Sequence, residues 1–313
     1  MVSDKHAVKR FESLVAPLPL EEIMRHCRSL SLLIHHGNPG SFSLIDQLLP
    51  DDREGIFALA DREESRVRLI GMRDGQPAGY IARSSLEAKR GYRSGWSLLV
   101  DKASTVINTL QPWEAAVEVA LGMPKGTCEM KISVSARDSG LPQHFDRYET
   151  IQLQLHGTKQ WLVAKNEDVS APYHSHMVGL PVTPELSSYC LSPISNGPRD
   201  LHTIMLHSGS LLFVPRGYWH GTSAGDEGSI SLIIRCAAPA RLHLLARDRH
   251  PDVSGDVRWR MPVYGGWNGH PDTPIVAEEL SALMHDSRMN PYVDGRKLIT
   301  RFRTEEYIRD QCN

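Results

Sequence analysis

The 313 residues are 41% hydrophobic and 23% charged, an ordinary globular composition that is enough for one large domain with flanking elements. Lys plus Arg number 35 against 37 Asp plus Glu, and a net charge of -2 argues against a protein built to bind nucleic acid or anionic lipid. Five cysteines, Cys27, Cys128, Cys190, Cys236 and Cys312, are widely spread and never form a C-x-x-C pair, which argues against a disulfide framework and a structural zinc site. The opening MVSDKHAVKRFESL has no signal-peptide apolar run, and no stretch reaches the roughly eighteen apolar residues of a membrane span. A soluble cytoplasmic protein is the expectation.

In chain order, Leu20, Ile23, Met24, Leu30, Leu33 and Ile34 recur at mostly helical spacing between Leu18 and His36, with Gly37-Asn38-Pro39-Gly40 as the stop. Between Asp61 and Ile81 the period shortens. The Asp74-Gly75 turn signal predicts a hairpin with flanks at Val67 to Met72 and Ala78 to Ile81, placed at a sheet edge. Pro112 stands at a first helical position before Trp113 to Leu121, and Gly122 with Pro124 closes that helix.

Short strands then dominate: Lys131 to Ser135, Tyr148 to Leu155, Lys159 to Ala164, Ser210 to Val214 and Ser229 to Arg235. With no helical pattern alternating between them, they predict an antiparallel sandwich or barrel. The Ser/Pro/His-rich stretch from Asp168 to Leu206 is too long for a plain connection and reads as an insert over one barrel mouth. After Arg241 the sequence is polar and loop-like through His270. Helices are expected from Thr273 to His285 and from Thr304 to Gln311. The expected division is an N-terminal helical and mixed segment, 1–94, a barrel with its insert at about 168–206, 95–240, and a mostly helical extension, 241–313.

His-x-Asp occurs at His144-Phe145-Asp146, His250-Pro251-Asp252 and His270-Pro271-Asp272, and so short a motif needs context. Only the first lies among predicted strands. Residues i and i+2 of an extended chain share a face, so His144 and Asp146 could reach one metal. His156-Gly157-Thr158 reads as a tight reversal that sends Lys159 back antiparallel toward that metal. Farther on, an apolar strand, a Pro215-Arg216-Gly217 turn and His220 offer a third ligand. Two imidazoles and one carboxylate make a facial triad that leaves positions open on non-haem iron(II).

In these residues the chain resembles the JmjC-type cupin oxygenases, nearest to their ribosomal-oxygenase-like (cupin 4) branch. The resemblance runs from about Gly95 to Arg235. It is carried by GLPQHFDRYETIQLQLHGTKQWLV, 140–163, and GSLLFVPRGYWHGTSA, 209–224. It implies a mainly β fold with flanking helices (α+β), a double-stranded β-helix (jelly-roll cupin) barrel. It implies Fe(II), 2-oxoglutarate and O2 as cofactor and co-substrates, with His144, Asp146 and His220 as iron ligands and Lys159 pairing the distal carboxylate of 2-oxoglutarate. A buried cation facing a carboxylate offsets the desolvation of both. The hydroxyl residue many relatives carry three positions before the first histidine is Leu141 here, so Ser133, Ser135, Thr150 or Ser231 is the candidate for the second carboxylate contact. The likeness further implies hydroxylation of an amino-acid side chain in a protein or peptide, a peptide natural product among the options, with decarboxylation of 2-oxoglutarate to succinate. It also suggests a homodimer. Residues 241–313 are expected to be too few for both the helix bundle and the winged helix that follow the barrel in the ribosomal enzymes.

Plainer readings stand beside these. Lys159 is by default a solvated strand residue, Trp161 and Trp219 core, and His174 with His176 solvated loop histidines. Arg147, Tyr148, Gln152 and Gln154 face either a substrate mouth or a half-exposed strand surface. An N-methyl-lysine demethylase shares every iron-site residue. A metal cupin acting without 2-oxoglutarate is opposed by Lys159, and a non-catalytic binding module by the intact triad.

Overall fold

The computed structural model describes residues 2–37, 49, 53–74, 76–194, 197–198, 200–245, 253–287, 295–302 and 307. Its eleven strands are β1 (Leu33–His36), β2 (Arg66–Arg73), β3 (Gln76–Ala82), β4 (Ser97–Asp101), β5 (Cys128–Ser135), β6 (His144–Phe145), β7 (Glu149–Ala164), β8 (His176–Met177), β9 (His202–Leu206), β10 (Ser210–Val214) and β11 (Trp219–Cys236). The main path runs β1-β10-β7-β11-β5-β4-β2-β3, and β6, β8 and β9 attach beside it. This is a double-stranded β-helix with flanking helices.

The barrel closes because β7 and β11 are long and bent. Near their outer ends, Glu149 to Leu153 of β7 lie beside Leu232 to Cys236 of β11 and beside β10. Past the bend, Lys159 to Val163 lie beside β9 and the first residues of β11. Strands that change sheets at a bulge turn the corners of such sandwiches. The reversal expected at His156-Gly157-Thr158 is therefore a bend within one sixteen-residue strand. Gly157 has φ of 66°, and a Cβ there would lie 2.0 Å from the Gly228 carbonyl oxygen, so the facing strand presses on the bend. The ladder slips between Ala224 and Ser229, opposite that bend. His220 likewise belongs to the same continuous strand as Ile230 to Ile234.

The helix expected from Leu18 to His36 stops early. It covers Leu20–Ser29, and Leu30 takes a left-handed conformation with φ of 49°. Leu33–His36 then pairs antiparallel with β10, whose edge gives that apolar run backbone partners a longer helix would forgo. Its expected stop beyond Gly37 lies outside the described residues. The hairpin forms as Arg66–Arg73 and Gln76–Ala82 and ends the sheet path, with Gly75 outside the described residues. The helix opened by Pro112 covers Gln111–Ala120, and the later one Thr273–Asp286. The stretch after Arg241 is less loop-like than expected, with helical turns at Arg241–Leu244 and Val257–Arg260. The helix expected at Thr304 to Gln311 lies outside the described residues.

Sequence reasoning did not foresee the helices Val2–Val15 and Ser85–Arg93, nor β4. The N-terminal helix and β4 bury their apolar residues, whereas Leu86 of Ser85–Arg93 stays exposed. Phe11, Leu14 and Ile23 pack with Val117 against the barrel wall of Ile132, Leu153 and Leu232, all at most 2% exposed. Each such side chain contributes about 1.5–3 kcal/mol on leaving water. A second core joins Trp259 and Leu244 to Leu280 and Leu283 of the C-terminal helix. Among the described residues, no helix is long and apolar enough to cross a membrane.

Candidate metal and co-substrate site

The barrel places three predicted ligands together through backbone pairing. His144 opens β6, whose partner across β11 is His220. Asp146 lies just beyond β6, and its carbonyl accepts from the Gly217 N–H at 2.8 Å, tying the His-x-Asp segment to the turn before His220. That turn is held from behind. Arg216, 3% exposed, donates to Glu149 at 2.9 Å and to the Ala238 carbonyl at 2.8 Å. The Glu149 charge overcomes the burial that opposes it and holds the guanidinium pKa above its ordinary value.

The ligand atoms of His144, Asp146 and His220 all lie within 4.8 Å of one another and could hold a metal ion. His144 Nδ1 is 2.9 Å from the Pro142 carbonyl and His220 Nδ1 is 2.9 Å from the Tyr218 carbonyl. A carbonyl can only accept, so both Nδ1 atoms carry the hydrogen and both Nε2 atoms keep a free lone pair. Those Nε2 atoms stand 3.9 and 3.7 Å from Asp146 Oδ2. Burial, followed by the adjacent His144, lowers the His220 pKa to about 4, so its ring is neutral as a ligand must be.

A cavity of about 560 Å³ opens onto this group. Lys159 lines it, 4% exposed, and donates to Ser133 Oγ at 3.2 Å. No carboxylate among the described residues pairs with it, and burial lowers its pKa to about 8. Thr150 and Trp161 also line the cavity, and Thr150 Oγ1 and Trp161 Nε1 are buried with no hydrogen-bond partner among the described residues. An unpaired cation beside unused polar atoms fits a small carboxylate ligand.

Residues 126–243 match the JmjC domain, a stretch that includes His144, Asp146, Lys159 and His220. The chain is 28% identical over 256 residues to the uncharacterized protein YxbC of Bacillus subtilis, covering 80% of this chain and 77% of that one. It is 25% identical over 239 residues to ribosomal oxygenase 2 of Rattus norvegicus, covering 72% of this chain and 46% of the other. The chain thus spans about half the length of that relative. Among solved structures, Escherichia coli YcfD, described as a ribosomal oxygenase in complex with cobalt and 2-oxoglutarate, superposes with a TM-score of 0.50 at 19% identity, covering 87% of this chain and 68% of that one. At that identity the likeness is one of fold.

Of the other sequence candidates in the matched stretch, Ser133, Ser135 and Thr150 line the cavity together with Lys159. Ser231 does not line it and donates to Gln154 at 2.8 Å. Leu141 does line it. Trp219 is core as expected, 2% exposed against Phe145. Trp161 is more than core: it lines the cavity and stacks on His220 with centroids 5.7 Å apart. Tyr148 and Gln152 also line the cavity. His174 bonds to the Tyr189 hydroxyl at 3.0 Å, while Ser175 between the two loop histidines reaches Asp146 Oδ1 at 3.4 Å. The insert thus touches the site through Ser175 and through Met177, which pairs with His144. His270 and Asp272 stand 3.8 Å apart, and Asp272 is engaged by Arg28. His250-Pro251-Asp252 lies outside the described residues.

Sequence reasoning missed four cations of the cavity wall, Arg66, Arg68, Lys131 and Arg235. The signal was present as period-two spacing, Arg66 with Arg68 and Lys131 with Ser133. Which face turned inward was not readable.

Proposed function

We propose that this chain is an iron(II)- and 2-oxoglutarate-dependent oxygenase that hydroxylates an amino-acid side chain of a protein or peptide. The observation that carries the reading is one cavity holding both a convergent His/Asp/His group with free Nε2 lone pairs and a buried lysine without a counter-ion among the described residues. The JmjC domain and the relatives named as ribosomal oxygenases support it.

In this reading His144, Asp146 and His220 hold the metal, and the Pro142 and Tyr218 carbonyls keep the imidazoles turned toward it. Lys159 takes the distal carboxylate of 2-oxoglutarate in a charge-assisted bond, with Ser133 and Thr150 alongside. Trp161, Leu141 and Met177 line the space and exclude water. The bound iron and 2-oxoglutarate supply the oxidation: dioxygen gives one oxygen atom to succinate and one to the substrate C–H, and carbon dioxide leaves.

The test is succinate formation from 2-oxoglutarate under air with iron(II), for the wild type, His144→Ala and Lys159→Ala. The wild type should produce succinate even without substrate, and both variants should lose it. No succinate from the wild type, together with no calorimetric binding of 2-oxoglutarate, would sink the reading.

A further inference from the structure

Five cations, Arg66, Arg68, Lys131, Lys159 and Arg235, line the cavity, and Asp146 is the one carboxylate lining it among the described residues. The whole chain is at -2, so this excess is local. It follows from strand register. Arg68 stands opposite Leu99, Leu99 opposite Ser133, and Lys131 lies two residues along from Ser133 on the same face of β5. The inward face of the hairpin therefore continues the barrel's inner wall.

Two carboxylates behind that wall hold three of the cations. Asp101 accepts from Arg68 at 2.8 Å and Lys131 at 3.0 Å; Glu129 pairs with Lys131 at 3.2 Å and Arg235 at 2.9 Å. Three charges are thus shared between two. Arg66 is exposed and forms no ion pair among the described residues. Arg235 Nε is buried without a hydrogen-bond partner, while its guanidinium lies 4.2 Å from the centre of the Tyr148 ring. Tyr148 in turn borders Asp146, so this cation sits one side chain away from the candidate metal. Apart from the exposed Arg66, the part-buried Arg68, Lys131 and Arg235 leave one positive charge unmatched, and a wall meant only for stability would match it, because a charge held partly away from water is costly.

We propose that the substrate is anionic and presents a carboxylate, in the form of an aspartyl or glutamyl side chain of a peptide, to Arg68, Arg235 and Arg66. Arg68 already donates through Nε and Nη2 to Asp101, so it adds charge to the site, while Arg66, with no ion pair among the described residues, has a guanidinium suited to two-point recognition of a carboxylate. A basic peptide would meet like charge in the same space. The word substrate rests on the oxygenase reading above; the anion preference is a property of the wall and is testable without turnover.

The experiment measures fluorescence anisotropy of labelled peptides on the full chain with zinc(II) and saturating 2-oxoglutarate. Zinc has no redox chemistry, and 2-oxoglutarate fills the Lys159 end. Three peptides share an alanine-glycine frame and carry two Glu, two Gln or two Lys. The Glu peptide should bind about tenfold or more tightly than its Gln counterpart, and the Lys peptide should bind most weakly. Arg68→Gln should weaken the Glu peptide by about tenfold. Arg66→Gln, at an exposed position that does not threaten folding, should weaken it about two- to fivefold. Neither should alter the Gln peptide. Competition by free L-glutamate at the same concentration as the peptide supports a small carboxylic acid as the source of the carboxylate; failure to compete supports the peptide. Equal binding of Glu and Gln peptides, preference for Lys, no binding of any, or loss in Lys159→Met with retention in both arginine variants overturns the proposal. Absence of succinate with intact Glu-peptide selectivity would instead remove the oxygenase reading alone.

Discussion

Replacing Lys159 with methionine should make the free protein more stable and cripple co-substrate binding. Lys159 is 4% exposed, bonded to Ser133 and without a carboxylate partner among the described residues, and burial lowers its pKa from 10.5 to about 8. At about 1.4 kcal/mol per pH unit, that gap amounts to about 3 kcal/mol against folding while the lysine is charged. The sign is definite. Below pH 8 both folded and unfolded chains hold the proton and the whole cost is present. From pH 8 to 10.5 the folded protein sheds a proton that the unfolded chain keeps, so wild-type stability rises relative to the variant. Lys159→Met, similar in volume, should therefore gain up to about 3 kcal/mol at pH 7, and the gain should close toward pH 10.5. Urea denaturation at pH 7 and pH 10 reads both quantities. Calorimetry should show 2-oxoglutarate affinity about 10- to 100-fold weaker in the variant. In the wild type that affinity should fall as the pH rises past 8. A variant less stable than wild type, or a gain that does not depend on pH, would refute the view of Lys159 as a cation held ready for an absent anion.

Other perturbations follow the same logic. His220→Ala should abolish calorimetric cobalt(II) binding with the circular dichroism spectrum unchanged, whereas retained binding would mean the metal lies elsewhere. Glu149→Gln leaves the buried Arg216 without its charge partner and should cost about 3–5 kcal/mol in denaturant unfolding. Glu118, whose pKa burial raises to about 7, accepts from Gly126 N–H at 2.6 Å and Cys128 N–H at 3.0 Å. A raised carboxyl pKa costs stability as pH climbs from 4.5 through 7, so Glu118→Gln should be more stabilising at pH 8 than at pH 4.5. The opposite trend would count against that burial effect. Gly157→Ala, forcing a methyl toward the Gly228 carbonyl at a left-handed bend, should lower the thermal midpoint, while Gly95→Ala, with φ of 82° but no atom within 4 Å, should lower it less.

Much of the site was legible because it rests on local spacing. His144 and Asp146 share a strand face by the two-residue period, and a Pro-Gly turn before His220 is visible in the letters. The strand order and the partnership of His144 with His220 were not, since they depend on pairing between residues far apart in sequence. Gly157 shows the difference clearly. A glycine between two strand patterns fits a reversal and a bend equally well, and the facing bulge of β11 selects the bend. Leu33 and Ile34 likewise fit a helix by spacing, and the open edge of β10 draws them into a strand.

The sequence by itself determined the candidate ligand types, the His-x-Asp pair, the mainly β character and the resemblance to the JmjC oxygenases, all of which are written in neighbouring residues. Tertiary structure alone decided that Lys159 is buried beside Ser133, that Trp161 lines the cavity and stacks on His220, and that Arg66, Arg68, Lys131 and Arg235 share its wall with Asp101 and Glu129 behind them. The physical reason is that alternation divides a strand's side chains between two faces, but which face meets the cavity is set by strands that pack against it from elsewhere in the chain.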